Sequence, residues 1–260
     1  MLAGYPSTPE QFMLNKLTCG LLLAASLLGT SAVAAEKTLT AGTDATFAPF
    51  EMLNEKREII GFDAELIQAI AAKAGLKVKL VNTPWEGLFA GLANGERDLV
   101  IAAVTITPER KQTMDFSEPY FEAKQLLVVP ASSKITSLAE LKGRKIGVQT
   151  GTTGDSVAQK AFGKTSPNIR RYESIPLALT ELKDGGIQAV VADNGVVRNY
   201  LHNNPNLKLR TIEDNSFAKE YYGIAVKKGN KALLDKLNQG LAGIKADGSY
   251  ARITSKYFGQ

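Results

Sequence analysis

Short apolar segments alternate with amphipathic segments along the chain, and this alternation restricts the fold more than any other feature. Residues 39–43 (LTAGT) and 76–81 (LKVKLV) have strand patterns, while Leu66, Ile67 and Ile70 recur at helical spacing. A helix is predicted over residues 86–94, and the apolar run at residues 98–103 (DLVIAA) is typical of a buried strand. This strand–helix order favours a parallel sheet covered by helices.

The same alternation starts again after Tyr120. Strand patterns occur at residues 126–129, 145–148, 169–172, 187–192 and 222–226, and helix patterns at residues 156–162 and 176–183. The apolar face of a long last helix is formed by Leu233, Leu234, Leu237, Leu241 and Ile244. Two α/β units in one chain predict two lobes.

The first 35 residues have the pattern of a secretory signal. Lys16 precedes an apolar run at residues 21–28, which is too short to span a bilayer, and small residues follow at 31–35. We expect cleavage after Ala34 or Ala35 and a mature protein in an exported compartment. Residues 1–12 lie upstream of a natural start at Met13 and are interpreted as extra residues. No lipidation is expected.

Cysteine, histidine and charge exclude several classes of site. Cys19 and His202 are the only residues of their types, so an intrachain disulfide, a zinc site and Cys/His catalysis are not expected. The net charge of +5 is spread along the chain without a basic block, which predicts a soluble surface and no nucleic-acid or lipid binding. No cofactor or metal is expected.

The turns that follow the strands are the candidate site, because ligands in α/β folds bind beyond the carboxyl ends of the strands. These turns are residues 44–50, Trp85, residues 103–110, residues 149–155 and Asp193. The Gly-Thr-rich turn at 149–155 resembles a phosphate loop only superficially, because it lacks the lysine of that motif. Its helix amides suit any anion, including a carboxylate.

Two of these turns carry the groups that an amino acid requires. The planar fork of Arg110 fits a carboxylate, with Thr105 and free amides beside it, although a surface salt bridge is the alternative. Asp193 follows a strand and suits an ammonium group, or it caps the next helix.

The first turn suits the side chain of such a ligand. Asp44 beside Phe47 suits a cationic or amide group, although an ordinary capped loop gives the same pattern. Trp85 is either a wall of the site or a core residue. Together the turns make a zwitterionic ligand plausible, but nothing in the pattern shows that they converge.

Six motifs, in this order, resemble the bacterial periplasmic polar-amino-acid-binding proteins of ABC importers (solute-binding protein family 3). They are Gly42-Thr43-Asp44 with Phe47-Ala48-Pro49-Phe50-Glu51, Gly61-Phe62-Asp63, Ile106-Thr107-Pro108-Glu109-Arg110, Asp115-Phe116-Ser117-Glu118-Pro119-Tyr120, Gly147-Val148-Gln149-Thr150-Gly151-Thr152-Thr153 and Tyr222-Gly223-Ile224-Ala225. The resemblance covers essentially the whole mature chain.

The resemblance implies a two-lobe clamshell, each lobe a mixed sheet flanked by helices, joined by two hinge strands near residues 120–124 and 217–221. Lobe 1 would comprise residues 36–121 and 221–260, and lobe 2 residues 125–216. The implied ligand-binding residues are Asp44, Phe47, Trp85, Ala103, Val104, Thr105, Arg110, Gln149, Thr152, Thr153 and Asp193. Arg110 would hold the ligand carboxylate, Asp193 its ammonium, and Asp44 the tip of its side chain.

Specificity is predicted from two departures from the glutamine-binding branch of this family. That branch usually has a lysine at Gln149 and a histidine at Ala192, and both are absent here. Arginine or lysine is therefore expected, with glutamine or a broad polar range as the alternative. The expected partner is an inner-membrane ABC permease, and the expected state is a monomer.

The rival from another class is an enzyme, a periplasmic dehydratase that resembles the same family. The Arg110 and Asp193 pair is intact, and no unexplained acid is expected to point into the site. No catalytic residue is therefore predicted.

Overall fold

Strands and helices alternate through most of the computed structural model, which describes Met1 and residues 37–259. The strands are β1 (Thr38–Thr43), β2 (Thr46–Phe47), β3 (Glu51–Leu53), β4 (Ile59–Ile60), β5 (Lys77–Asn82), β6 (Leu99–Val100), β7 (Met114–Phe116), β8 (Phe121–Pro130), β9 (Ile146–Gln149), β10 (Ile169–Tyr172), β11 (Ala189–Asp193), β12 (Leu209–Ile212), β13 (Lys219–Tyr222) and β14 (Ala225–Lys227). The helices are α1 (Phe62–Ala74), α2 (Trp85–Asn94), α3 (Pro108–Thr113), α4 (Thr153–Phe162), α5 (Ile175–Lys183), α6 (Asn194–Asn203), α7 (Lys231–Ala246) and α8 (Ser249–Phe258), with a 3₁₀ turn at Leu138–Leu141.

The first sheet has the strand order β5-β1-β6-β14-β7. β1 runs parallel to β5, with Leu39 opposite Val78, and parallel to β6. β14 runs antiparallel to both β6 and β7, so the sheet is mixed. Helices α1 and α7 pack together, and their apolar faces form the core beside this sheet.

The second sheet has the order β10-β9-β11-β8-β12. β9 is parallel to β10 and β11, while β8 is antiparallel to β11, with Val128 opposite Val190. Its core includes buried Leu127, Val148 and Val191. A small third sheet, β2-β3-β4, places Glu51 opposite Phe47.

Two neighbouring strands connect the first sheet to the second. β8 begins with Phe121 opposite Tyr222 of β13 and continues into the second sheet. Aromatic rings pack around this junction, where Phe50 contacts Phe121 and Tyr222 at centroid distances of 5.0 and 5.3 Å. Residues 37–260 form one compact unit, distinct from residues 1–36.

Three sequence expectations need correction. The strand predicted at 222–226 is interrupted because β13 pairs with β8, whereas β14 pairs with the first sheet; between them the Gly223 amide bonds to Val104 O. The strand predicted at 98–103 is short, because β6 comprises only Leu99–Val100, and Ala103 beyond it has a left-handed φ of 47°. The helix predicted as the last one is followed by α8.

Two remaining points concern the predicted N-terminal signal and membrane-spanning helices. Apart from Met1, the predicted signal, Cys19 and residues 1–12 lie outside the described part of the chain. Within residues 37–259, no helix is both long enough and apolar enough to cross a membrane.

The contact between α1 and α7 makes a testable prediction about stability. A Cβ at Gly240 would lie 2.4 Å from the backbone oxygen of Ile70, whereas at Gly243 the nearest atoms are those of the Lys73 side chain at 3.5 Å. We expect Gly240→Ala to lower the free energy of unfolding by about 1–3 kcal/mol through overpacking. Gly243→Ala, the matched control, should raise it by roughly 0.5–1 kcal/mol through helix propensity. Urea denaturation measures both, and equal stabilisation by the two variants would contradict this packing.

Candidate functional site

A cavity of about 330 Å³, its mouth included, lies between the two sheets. It is lined by Asp44, Phe47, Glu51, Trp85, Ala102, Ala103, Thr105, Arg110, Gln149, Thr152, Thr153 and Asp193. Ten of the eleven residues expected from the sequence are therefore brought to one place.

Strand ends explain why these residues converge. Asp44 directly follows β1, Ala103 lies just beyond β6, and Gln149 and Asp193 are the last residues of β9 and β11. The carboxyl ends of parallel strands meet at one edge of a sheet, and the two sheets present those edges to the same cavity.

Two helix N-termini also reach the cavity. Thr107 caps α3, and its side chain accepts a hydrogen bond from the backbone amide of Arg110 at 3.2 Å. Thr152 caps α4, accepting from the Asp155 amide at 3.3 Å and donating to Gln149 O at 2.9 Å. These caps fix the first turns, from which Arg110 and the α4 amides face the cavity.

Aromatic rings and backbone carbonyls hold the Arg110 guanidinium. Its Nη1 donates to Thr105 O at 2.9 Å and its Nη2 to Gly151 O at 3.3 Å. Its Cζ lies 5.2 Å from the ring centroid of Trp85 and 5.4 Å from that of Phe89. The surface salt bridge considered from the sequence is not observed, and no carboxylate within residues 37–259 forms an ion pair with Arg110. Its charge is therefore available to an anion.

Glu220 holds two side chains of the cavity lining, and the sequence interpretation missed it. Its Oε2 accepts from the hydroxyls of Thr105 at 2.9 Å and Thr153 at 2.8 Å, and its Oε1 accepts from Gln125 Nε2 at 3.2 Å. It therefore links hydroxyl groups that follow the first sheet and the second. The period of two along β13 was the available signal, because it places Glu220 on the same strand face as buried Tyr222.

Asp193 is 6% exposed and fully hydrogen-bonded. Gln125 Nε2 donates to its Oδ1 at 2.5 Å, and the Tyr222 hydroxyl donates to its Oδ2. Burial, followed by the charge of Glu220, raises the pKa of Asp193 to about 6, while Tyr222, Gln125 and Arg110 oppose that rise. Asp193 occupies the N-cap position of α6, as predicted, but its side chain makes no cap hydrogen bond.

Asp44 is another buried acid that lines the cavity. Its carboxylate accepts from Thr46 Oγ1 at 2.9 Å and from Gln149 Nε2 at 3.3 Å. Gln149 is held in turn by donation to Glu173 O at 2.9 Å. Burial raises the pKa of Asp44 above its ordinary value, against the lowering by these hydrogen bonds. No base within residues 37–259 forms an ion pair with Asp44.

A second unforeseen acid, Glu51, lines the same cavity. Neither of its carboxyl oxygens has a hydrogen-bond donor among the described residues. Its neighbour Asp63 accepts from the Ala103 amide and from the Tyr120 hydroxyl, both at 2.7 Å. The expectation that no unexplained acid points into the site is therefore wrong. The sequence shows Phe50 next to Glu51, but no sequence pattern predicts where the Glu51 carboxyl group points.

The remaining predicted site residue lies elsewhere. Val104 does not line the cavity, because its side chain is buried in a small core with Leu88 and Met114. His202 is exposed near the end of α6. Among the residues that the structure describes, no group of three or more His, Cys, Asp or Glu side chains is arranged to hold a metal ion.

Comparisons with known proteins agree on one family. Residues 39–260 match the bacterial extracellular solute-binding proteins, family 3. The chain is 43% identical over 223 residues to a probable histidine-binding protein of Neisseria gonorrhoeae, covering 85% of this chain and 83% of that one. It is 37% identical over 251 residues to ABC transporter arginine-binding protein 1 of Escherichia coli, covering 95% and 100%.

A solved structure gives the same result for the fold. The arginine-, lysine-, histidine-binding protein ArtJ from Geobacillus stearothermophilus superposes with a TM-score of 0.83 at 45% identity. The match covers 86% of this chain and 96% of that one. The two mixed sheets described above therefore have the arrangement of a periplasmic binding protein.

Proposed function

The chain belongs to the bacterial extracellular solute-binding proteins of family 3, and we propose that it captures a basic L-amino acid for an ABC importer. The observation that carries this proposal is the pairing of opposite charges in one small cavity. Arg110 forms no ion pair within residues 37–259, although the charges of Asp193 and Glu220 act on it, and Asp193 is a buried acid on the same lining. A zwitterion satisfies both.

Arg110 and Asp193 would together hold the ligand frame, which is its α-carboxylate and α-ammonium. The Arg110 fork binds the α-carboxylate, together with Thr105, the backbone at Ala103, and the hydroxyls and amides at the start of α4. Asp193 binds the α-ammonium. Displacing the Glu220 carboxylate from its threonine hydroxyls frees those donors for the ligand.

A basic side chain on the ligand is favoured by an acid and two aromatic rings that also line the cavity. Asp44, Phe47 and Trp85 line it, and an acid beside aromatic faces suits a guanidinium or ammonium group. Arg110 is the one base in the cavity lining of the described residues. The names of the histidine- and arginine-binding relatives support this choice; glutamine or a broad polar range is the alternative.

Capture would involve closure of two lobes, residues 36–121 with 221–260 and residues 125–216, about hinges near 120–124 and 217–221. The paired strands β8 and β13 at the junction support this division. Ligand would dock first on Arg110, Phe47 and Trp85, and closure would then add Thr152, Thr153 and Asp193. Contacts made only in the closed state are what stabilise it.

The cellular setting follows from the family. We propose that residues 1–35 direct export to the periplasm, with cleavage near Ala34 or Ala35, and that the mature protein is a monomer without cofactor. Its macromolecular partner would be an inner-membrane ABC permease, and no nucleic-acid partner is proposed.

A ligand screen tests the proposal directly. L-arginine, L-lysine or L-histidine should raise the melting temperature of the protein most among the twenty amino acids, because a ligand bound only by the folded state stabilises it. The same ligands should change the fluorescence of Trp85, the single tryptophan, which lines the cavity. Tight glutamine binding without arginine, lysine or histidine binding would contradict the basic preference.

An enzyme on the same fold is the second candidate, and Glu51 is the observation that favours it. A protonated carboxyl group on a cavity wall is suited to general acid catalysis. A dehydratase should convert prephenate or arogenate. We propose instead that the protein only binds, so incubation with either compound should give no product.

A further inference from the structure

Glu51 lies on the cavity wall but has no part in the proposed grip on the ligand frame. Its side chain is buried, at 1% exposure, and both carboxyl oxygens lack a donor among the described residues. A buried carboxylate without donor or counter-ion is so unfavourable that the group takes up a proton instead. Glu51 is therefore an uncharged acid next to the space for the ligand side chain.

Asp63 shows where that proton lies. The charge of Asp63 acts on Glu51, and since carboxylate oxygens are only acceptors, a hydrogen bond between the two groups requires a proton. Asp63 already accepts from the Ala103 amide and the Tyr120 hydroxyl. These two donors stabilise negative charge on Asp63, so the shared proton belongs to Glu51.

The ionisable groups that face this pair are all acids. They are Asp44 in the turn after β1, Asp63 on α1, Tyr120 just before β8, and Tyr222 on β13, which interacts with Asp63. Burial, then the charges of Asp63 and Asp44, raise the pKa of Glu51 well above its ordinary value. Burial raises the pKa of Asp63 to about 6, although its hydrogen bonds oppose this.

We propose that Glu51 is a specificity residue that releases its proton when a ligand with a cationic side chain enters the cavity. The O–H bond of Glu51 breaks, the proton passes to the solvent, and the new carboxylate faces the cation. A ligand with a neutral side chain leaves the proton in place. This inference rests on the proposed binding of amino acids in the cavity.

The cationic part of the ligand can be isolated by comparing L-arginine with L-citrulline, its neutral isostere. Both have the same α-carboxylate and α-ammonium, so any proton exchange at Asp193 is common to them and cancels in the difference. Arginine should release up to one more proton than citrulline near neutral pH. Its affinity relative to citrulline should then rise with pH, by up to about tenfold per pH unit.

Calorimetric titration in phosphate and in Tris, whose ionisation enthalpies differ, counts the protons released per ligand. The parent protein should release more protons with arginine than with citrulline at pH 6.5 and 7.5. Glu51→Gln should abolish this difference and weaken arginine binding at least tenfold, with citrulline affinity kept or improved. The glutamine amide can donate to Asp63, so the fold should survive. Exposed Glu55→Gln is the matched control and should behave as the parent.

Equal proton counts for arginine in the parent and in Glu51→Gln would overturn the inference, as would equal losses of arginine and citrulline affinity. If citrulline does not bind, the comparison of parent and variant with arginine decides the matter alone. Tight arginine binding without this proton release leaves the proposed function standing. If no basic amino acid binds, both the proposed function and this inference are wrong.

Discussion

Arg110→Ala should weaken amino-acid binding by about 100- to 1000-fold or more, because it leaves the ligand carboxylate buried without its charged donor. The guanidinium is already oriented by Thr105 O, Gly151 O and the Trp85 ring, so little ordering is required when a ligand arrives. Calorimetric titration with the best ligand of the thermal screen measures the loss.

Two further variants make the Arg110 result interpretable. Arg110→Lys keeps the charge but loses the planar fork, so its affinity should lie between those of the parent and the alanine variant. Exposed Arg144→Ala removes an arginine away from the cavity lining and should bind normally. If Arg110→Ala binds within about threefold of the parent while remaining folded, the carboxylate assignment is wrong.

Asp193→Asn should weaken binding of every amino acid by about 100-fold, within the roughly 2–5 kcal/mol cost of losing one partner of a buried charge pair. The change is nearly isosteric. The asparagine oxygen can still accept from Gln125, and its amide can donate to the Tyr222 hydroxyl, which accepts as well as donates. The loss should therefore reflect charge, and titration with arginine and with a neutral ligand should show it equally.

The same variant should be more stable than the parent without ligand. An acid whose pKa is raised to about 6 makes the folded protein less stable as pH rises from the unfolded value towards and through 6. Removing that ionised group at pH 7.5 should raise the melting temperature while binding falls. Exposed Asp184→Asn is the control and should change neither. A variant that loses stability together with affinity would point to a structural role.

The protonation of Asp193 also predicts the direction in which ligand affinity changes with pH. Only the ionised carboxylate attracts the α-ammonium, so affinity should fall below about pH 6, by up to about tenfold per pH unit, as Asp193 takes up its proton. A ligand with a neutral side chain shows this effect without a contribution from Glu51. Asp193→Asn should flatten the profile.

The sequence was sufficient for the elements that depend on local patterns. The period-two run in β5 and the helix α5 were predicted close to their observed bounds, and the helical spacing of Leu66, Ile67 and Ile70 predicted the existence of α1. Cavity residues at strand ends could be named because strand ends are where α/β folds place ligands. Their convergence could not be derived, because it depends on how two sheets face each other.

Errors occurred where the tertiary partners of a segment change within a few residues. Residues 222–226 have a continuous strand pattern, but β13 and β14 pair with strands of different sheets. Ala103 has no local signal for a left-handed φ, and its amide donates a hydrogen bond to Asp63, which lies forty residues earlier. No local pattern contains such a partner.

By itself the sequence predicted an α/β chain with two lobes, an arginine and an aspartate as candidates for holding a zwitterion, and a family. Only the tertiary structure decided that Glu220 joins the threonine hydroxyls and that Glu51, a cavity-lining acid, is under the charge of buried Asp63. The physical reason is that the charge state of a buried acid depends on its burial and on its neighbours in space. Strand and helix periodicity contain neither.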